Sequence, residues 1–290
     1  MTGPGLAAAI ASRLLFLVMS SIGHTSSIGD ARVDPQVLAW LRALRVIAVL
    51  NVCLWLYVLN FGTVSGAYGR VQLALSGFYV FVCAYRSLLP RVDLERLVAV
   101  DSHLSSIFLG RSAATVAEIC FALQLGLFVH QLASHAGLPW VQKAAWTIPM
   151  FMTLAQCFCW HSVLTLNHIT QAVESSLWAA GFSWMAFLLG VVAWNGEGWV
   201  QALAIVGIVG ATGFVAYVLR VDVPMYCRRY REGRASGLVY MRLNDGARDA
   251  WTRRVPSGSW AAWKADALWL TPYFSVGVWV SIAMVWVPGG

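Results

Sequence analysis

Apolar residues in this chain come in long continuous runs separated by short polar connections. A helix needs about 20 apolar residues to cross about 30 Å of hydrocarbon, and these runs approach that length. Because the runs do not alternate with a period of two, they predict helices and not the strands of a membrane barrel. Seven spans are expected: Val46–Gly62, Val71–Tyr85, Ala113–Leu132, Ala145–Leu166, Leu177–Trp194, Val200–Leu219 and Ala267–Val287. The pattern therefore predicts an all-α, multi-pass integral membrane bundle, with residues 1–290 as a single membrane domain.

The composition agrees with a membrane protein and argues against a soluble one. Of the 290 residues, 59% are hydrophobic and 11% are charged, whereas soluble domains carry roughly a quarter charged residues. The 15 Trp residues suit a protein that places aromatic side chains at two membrane–water interfaces. The lipid bilayer is thus the first expected partner of the chain.

The basic residues predict the orientation of the spans. With seven spans, every Lys and Arg except Arg70 and Lys143 falls in the N-terminal tail, the second loop or the sixth loop. The positive-inside rule then places the N-terminus in the cytoplasm and the C-terminus outside. Since the net charge of +7 is explained by topology, no nucleic-acid partner is expected. The Lys-poor, Trp-rich composition favours a bacterial inner membrane as the location.

Two segments outside the spans have features of their own. Residues 5–20 are apolar and follow the pattern of an amphipathic helix on the inner leaflet, with a signal-peptide core as the alternative. Residues 220–265 form a basic cytoplasmic loop or helical hairpin between the sixth and seventh spans. Its basic side chains would meet anionic lipids or an acidic protein partner. A cap over an active site is the other interpretation of this loop.

Polar and ionisable residues near the cytoplasmic half of the bundle are the candidate chemical groups, since such residues are costly in a membrane. Glu118 lies about two turns inside the third span. His161 and His168 are seven residues apart, so one continuous helix would place them on the same face. Asn167 and Glu174 lie close to them in the sequence. The predicted catalytic residues are therefore Glu118, His161, Asn167 and Glu174.

Two carboxylates and two imidazoles also suit a bound metal such as iron or zinc. The predicted ligands are Glu118, His161, His168 and Glu174, although their spacing matches no known metal motif. Acid–base chemistry without a metal uses the same groups equally well. Ordinary hydrogen bonding between helices is the structural alternative.

Three functions follow from these residues. The first is an enzyme that acts on a lipid or isoprenoid substrate dissolved in the bilayer. The second is a non-catalytic subunit or assembly factor that docks through its basic loop. The third is a transporter with Glu118 as the ion or proton carrier, although no interrupted span or repeat is evident. A retinal receptor is excluded because the last span contains no Lys for a Schiff base.

Overall fold

The computed structural model describes residues 33–62, 64 and 66–288. The helices are α1 Pro35–Phe61, α2 Gly66–Leu88, α3 Ile107–His135, α4 Pro139–Ala144, α5 Thr147–Thr165, α6 His168–Asn195, α7 Gly198–Tyr217, α8 Val223–Ala235, α9 Leu243–Thr252, α10 Trp260–Phe274 and α11 Val276–Ala283. The strands are β1 Arg91–Val92, β2 Leu97–Val98 and β3 Val255–Pro256. The amphipathic helix predicted over residues 5–20 lies outside the described residues.

Within the described ranges, six helical segments are long and apolar enough to cross a membrane. They are Pro35–Phe61, Gly66–Leu88, Ile107–His135, His168–Asn195, Gly198–Ala235 and Trp260–Trp286. The prediction of an all-α, multi-pass membrane bundle is therefore confirmed. The second of these segments is 23 residues long, although its apolar run was the shortest of those identified in the sequence.

The predicted number of seven spans is corrected to six. The predicted span Ala145–Leu166 does form a helix, α5, which has 19 residues and is about 28 Å long. It carries polar side chains, among them Gln156, His161 and Ser162, and it is not among the six helices that are long and apolar enough to cross a membrane. The assignment of the C-terminus to the outside depended on an odd number of crossings, and six crossings do not support it.

The chain divides into two compact units. The first comprises the described residues of Met1–Ala117 together with Ala250–Val287, and the second comprises Glu118–Asp249 with Pro288. In the first unit, the connection from α2 to α3 forms a small sheet, in which β2 pairs antiparallel with β1 and parallel with β3. That all of residues 1–290 form a single membrane domain stays a prediction.

The last span of the first unit is interrupted, which the sequence analysis did not anticipate. Pro272 lies inside α10 and has no N–H for the helix ladder, and the helix ends at Ser275 with φ −113° and ψ −75°. The side chain of Asn51 closes the interruption: its Nδ2 donates to the carbonyl of Phe274 at 2.7 Å, and its Oδ1 accepts from Nε1 of Trp279 at 2.9 Å. The freed backbone group is thus satisfied by a neighbouring helix, as a membrane requires.

The predicted basic loop, residues 220–265, is largely helical. A π-helical turn, Val218–Asp222, joins α7 directly to α8, so that one helical segment extends from Gly198 to Ala235. Its 38 residues span about 57 Å, which exceeds the hydrocarbon thickness by about 27 Å. The helix therefore continues well past its apolar part. The cytoplasmic location of this region stays a prediction.

Candidate functional site

The tight turn between α5 and α6 positions most of the predicted site residues. Leu166 ends α5 in the left-handed region, with φ 57°, a conformation that is uncommon for a residue other than glycine. The side chain of Asn167 then caps α6, because its Oδ1 accepts a hydrogen bond from the backbone N–H of Ile169 at 3.1 Å. Asparagine is among the best N-cap residues. The predicted catalytic residue Asn167 thus has a structural task at this turn.

The two histidines lie on different helices, so the prediction that they share one helical face is wrong. The helix containing His161 ends at Thr165, and His168 is the first residue of α6. His161 is exposed, and its Nδ1 lies 3.2 Å from Oγ1 of Thr170. The ring of His168 lies against Tyr226, with ring centroids 6.5 Å apart.

Glu174 is buried in the second turn of α6 and accepts hydrogen bonds from neutral groups. Its Oε2 accepts from Nε2 of Gln171 at 2.8 Å and from Oγ of Ser175 at 3.4 Å. Glu118 is buried to the same degree, with both residues 8% exposed, and it lies on α3. A carboxylate buried this deeply requires such partners.

The predicted metal site is not supported by the structure. The described residues contain no group of three or more His, Cys, Asp or Glu side chains placed to hold one ion. His161 contacts Thr170, His168 contacts Tyr226, and Glu174 contacts side chains of its own helix. That Glu118, His161, His168 and Glu174 share one site stays a prediction.

Residues 240–246, which comprise the approach to α9 and its first turn, pack against the α5–α6 turn. We call this segment the cap. The backbone N–H of Met241 donates to the carbonyl of Thr165 at 3.2 Å. The backbone at Gly246 lies against the carbonyl of Leu164, where a Cβ atom would come within 2.5 Å of the carbonyl carbon. Only glycine fits at this contact. The cap thus lies against the end of α5, at Leu164 and Thr165.

Three buried polar atoms on α5, α6 and the cap have no hydrogen-bond partner among the described residues. They are Oγ of Ser162 in the last turn of α5, Oε1 of Gln171 in the first turn of α6, and the hydroxyl of Tyr240 in the cap. Buried polar atoms are nearly always satisfied by protein or by ordered water. Sequence reasoning missed all three, because serine, glutamine and tyrosine at these spacings give no signal.

Comparison with protein-family models, with curated proteins and with solved structures finds no match to this chain.

Proposed function

We propose that this protein is a membrane enzyme that acts on a lipid or isoprenoid substrate dissolved in the bilayer, with its active site at the α5–α6 turn. The observation that carries the proposal is the covered polar turn. The cap contacts Leu164 and Thr165 through its backbone, and the unpartnered atoms of Ser162, Gln171 and Tyr240 lie on the three segments that meet there. Such polar groups are costly at a membrane and favour a polar ligand.

Glu174 is the proposed acid–base group. Two donors, Nε2 of Gln171 and Oγ of Ser175, hold its Oε2 in place, so the carboxylate is oriented to take a proton from a substrate hydroxyl. The exposed His161 would pass that proton to solvent. Asn167 would position the start of α6 through its cap, and Glu118 stays the second candidate carboxylate. The proposed chemistry uses these groups without a resident metal.

The test is turnover of membrane lipids by the purified protein. Wild-type protein in lipid nanodiscs is incubated with a bacterial lipid extract, and substrate loss and product formation are followed by mass spectrometry. Glu174→Gln keeps the size of the side chain and removes the base. We expect it to lower turnover about 100-fold or more, the contribution that general acid–base catalysis makes.

The matched control is Glu197→Gln, which changes an exposed carboxylate beyond the other end of the same helix. It should turn over lipid as the wild type does. Full turnover by Glu174→Gln, or no turnover by the wild type in extracts rich in lipids and isoprenoids, would overturn the proposal.

A second candidate is a non-catalytic subunit, and the exposed surface of α8 favours it. Arg228 makes a solvent-exposed ion pair with Glu232 at 3.8 Å, and such a pair contributes little to stability. Beyond α8, the side chain of Val239 is 87% exposed. A basic helix next to an exposed apolar side chain suits an acidic protein partner, or anionic lipids.

Purification in mild detergent tests this candidate. The triple variant Arg228→Glu, Arg229→Glu, Arg231→Glu should release a stoichiometric partner that the wild type retains.

A further inference from the structure

One face of α8 carries a row of exposed arginines, Arg228, Arg231 and Arg234. They follow one another at intervals of three residues, so neighbouring members of the row are about 4.5 Å apart along the helix axis. Residues three apart are neighbours on a helix surface. The three side chains therefore form one continuous basic surface, which we call the arginine ridge.

Another face of α8 is packed against the rest of the second unit. The ring of Tyr226 lies against His168 of α6, with ring centroids 6.5 Å apart. Tyr230 stacks on Tyr240 of the cap, with centroids 6.2 Å apart and ring planes 7° apart. Because the two tyrosines of α8 are four residues apart, they lie on one side of the helix. This packing holds α8 in one orientation and leaves the arginine ridge on the surface.

Arginines outnumber carboxylates in this segment. Between Val223 and Leu243 the sequence contains five arginines and one carboxylate, Glu232. Glu232 lies 3.8 Å from Nε of Arg228, and the two side chains are 67% and 66% exposed. Such an exposed pair contributes little to stability, so a partner can exchange for it. Nε of Arg231 donates to the carbonyl of Cys227 at 3.3 Å, which orients the guanidinium without neutralising its charge.

The far end of the ridge lies beyond the lipid headgroups. The apolar part of the helical segment Gly198–Ala235 ends at Val221. Arg231 lies about 15 Å and Arg234 about 20 Å past that residue, and a tilt of about 20° shortens these heights by only about 6%. The headgroup layer is about 5–8 Å thick on each side, and attraction to its charge falls off within about 8 Å. Anionic lipids can therefore reach the start of the ridge but not its end.

Two exposed apolar side chains are fixed next to the end of the ridge. Gly237 has φ 73°, and the backbone N–H of Leu238 donates to the carbonyl of Gly233 at 2.9 Å, as in a Schellman motif. A Cβ atom at Gly233 would lie 3.2 Å from Cδ2 of Leu238, so this side chain rests on the helix end. Leu238 is 47% exposed and Val239 is 87% exposed. The ridge thus ends in a small apolar surface of defined position.

We propose that the arginine ridge, with Leu238 and Val239 at its end, docks an acidic helical segment of a partner protein. Carboxylates three or four residues apart on such a helix match the spacing along the ridge, and guanidinium groups bind carboxylates through paired N–H donors. An apolar side chain of the partner covers Val239. The proposal deepens the second candidate function by naming the chemistry of the partner, and it does not depend on an active site at the α5–α6 turn.

The experiment measures peptide binding to the full-length protein in nanodiscs of phosphatidylcholine. The probe is a fluorescein-labelled synthetic helix with glutamates on one face, three or four residues apart, and a leucine at the end of that face. A second peptide has glutamine in place of every glutamate. Fluorescence anisotropy at about 0.15 M salt should show that the wild type binds the glutamate peptide at least tenfold more tightly than the glutamine peptide.

Variants assign the binding to the ridge. The double variant Arg231→Gln, Arg234→Gln should weaken binding of the glutamate peptide at least tenfold, and Val239→Ser should weaken it severalfold. All three side chains are exposed, so these variants should fold as the wild type does. The matched control is the double variant Arg70→Gln, Arg220→Gln, which removes the same charge from exposed positions outside the ridge. It should bind within twofold of the wild type.

Lipid is the competing occupant of the ridge. Nanodiscs in which half of the phosphatidylcholine is replaced by phosphatidylglycerol should bind the glutamate peptide within threefold of the original affinity. Loss of binding in these nanodiscs, equal binding of the two peptides by the wild type, or affinities of the ridge variants within twofold of the wild type would overturn the proposal. Peptide binding is measured without a native partner and without a lipid substrate. Its failure is therefore distinct from failure of the partner purification or of lipid turnover.

Discussion

Replacing Gly246 with alanine should lift the cap off the α5–α6 turn. The added Cβ atom would lie 2.5 Å from the carbonyl carbon of Leu164 and 3.1 Å from its Cα, whereas unstrained carbon atoms stay about 3.5 Å or more apart. The neighbouring group is backbone, which cannot rotate away as a flexible side chain can. The carbonyl oxygen of Leu164 would lie closer still, so the start of α9 has to move by more than about 1 Å.

Moving the start of α9 should destabilise the contact between the cap and the turn. Overpacking of a closely packed contact costs about 1–3 kcal/mol of stability. The hydrogen bond from Met241 to Thr165, already 3.2 Å long, would lengthen and lose a further contribution of about 1 kcal/mol. Because α9 has 10 residues and a helix of that length is marginal by itself, the loss should appear as local opening of the cap and not as unfolding of the protein.

Hydrogen–deuterium exchange with mass spectrometry measures this opening. Peptides that cover residues 238–252 should exchange about tenfold faster or more in Gly246→Ala, since 1.4 kcal/mol corresponds to a factor of ten. The control is Gly210→Ala in α7, where an added Cβ would meet no atom within 4 Å, and it should exchange as the wild type does. Equal exchange of these peptides in Gly246→Ala and the wild type would refute the close contact between the cap and the turn.

Three further predictions concern the first unit. Asn51→Leu leaves the carbonyl of Phe274 and the indole N–H of Trp279 without partners. The free energy of unfolding in mixed detergent micelles should therefore fall by about 1–2 kcal/mol, and it should fall by less in Trp279→Phe. Gly110→Ala should lower the midpoint temperature of thermal unfolding, because the added Cβ displaces the buried side chain of Arg91. This displacement should cost about 1–3 kcal/mol of stability. An unchanged midpoint would contradict the close packing of Gly110 against Arg91. Arg254→Gln removes an ion pair whose carboxylate is 54% exposed, so the unfolding free energy should change by about 1 kcal/mol or less and the effect should vanish in high salt.

The apolar runs determined the helices of this protein. The run Val200–Leu219 falls within the segment Gly198–Ala235, and Leu177–Trp194 falls within α6. Apolarity over about 20 residues is a property of a sequence window, and a backbone in hydrocarbon satisfies its hydrogen bonds as a helix whatever its neighbours are. The sequence also places Asn167 and Glu174 close together, because they are only seven residues apart.

The tertiary structure decided where segments that are far apart in the sequence meet. Nothing local to Gly246 indicates that it lies against Leu164, and nothing local to Gly110 indicates that it makes room for Arg91. The interruption of the last span at Ser275 is closed by Asn51, which is more than two hundred residues away along the chain. Which side chains converge depends on which helices touch and at what rotation, and that is set by packing between distant segments. For this reason the sequence alone identified the six membrane-spanning helices but counted α5 as a seventh, whereas the cap and the contact between Gly110 and Arg91 emerged only from the fold.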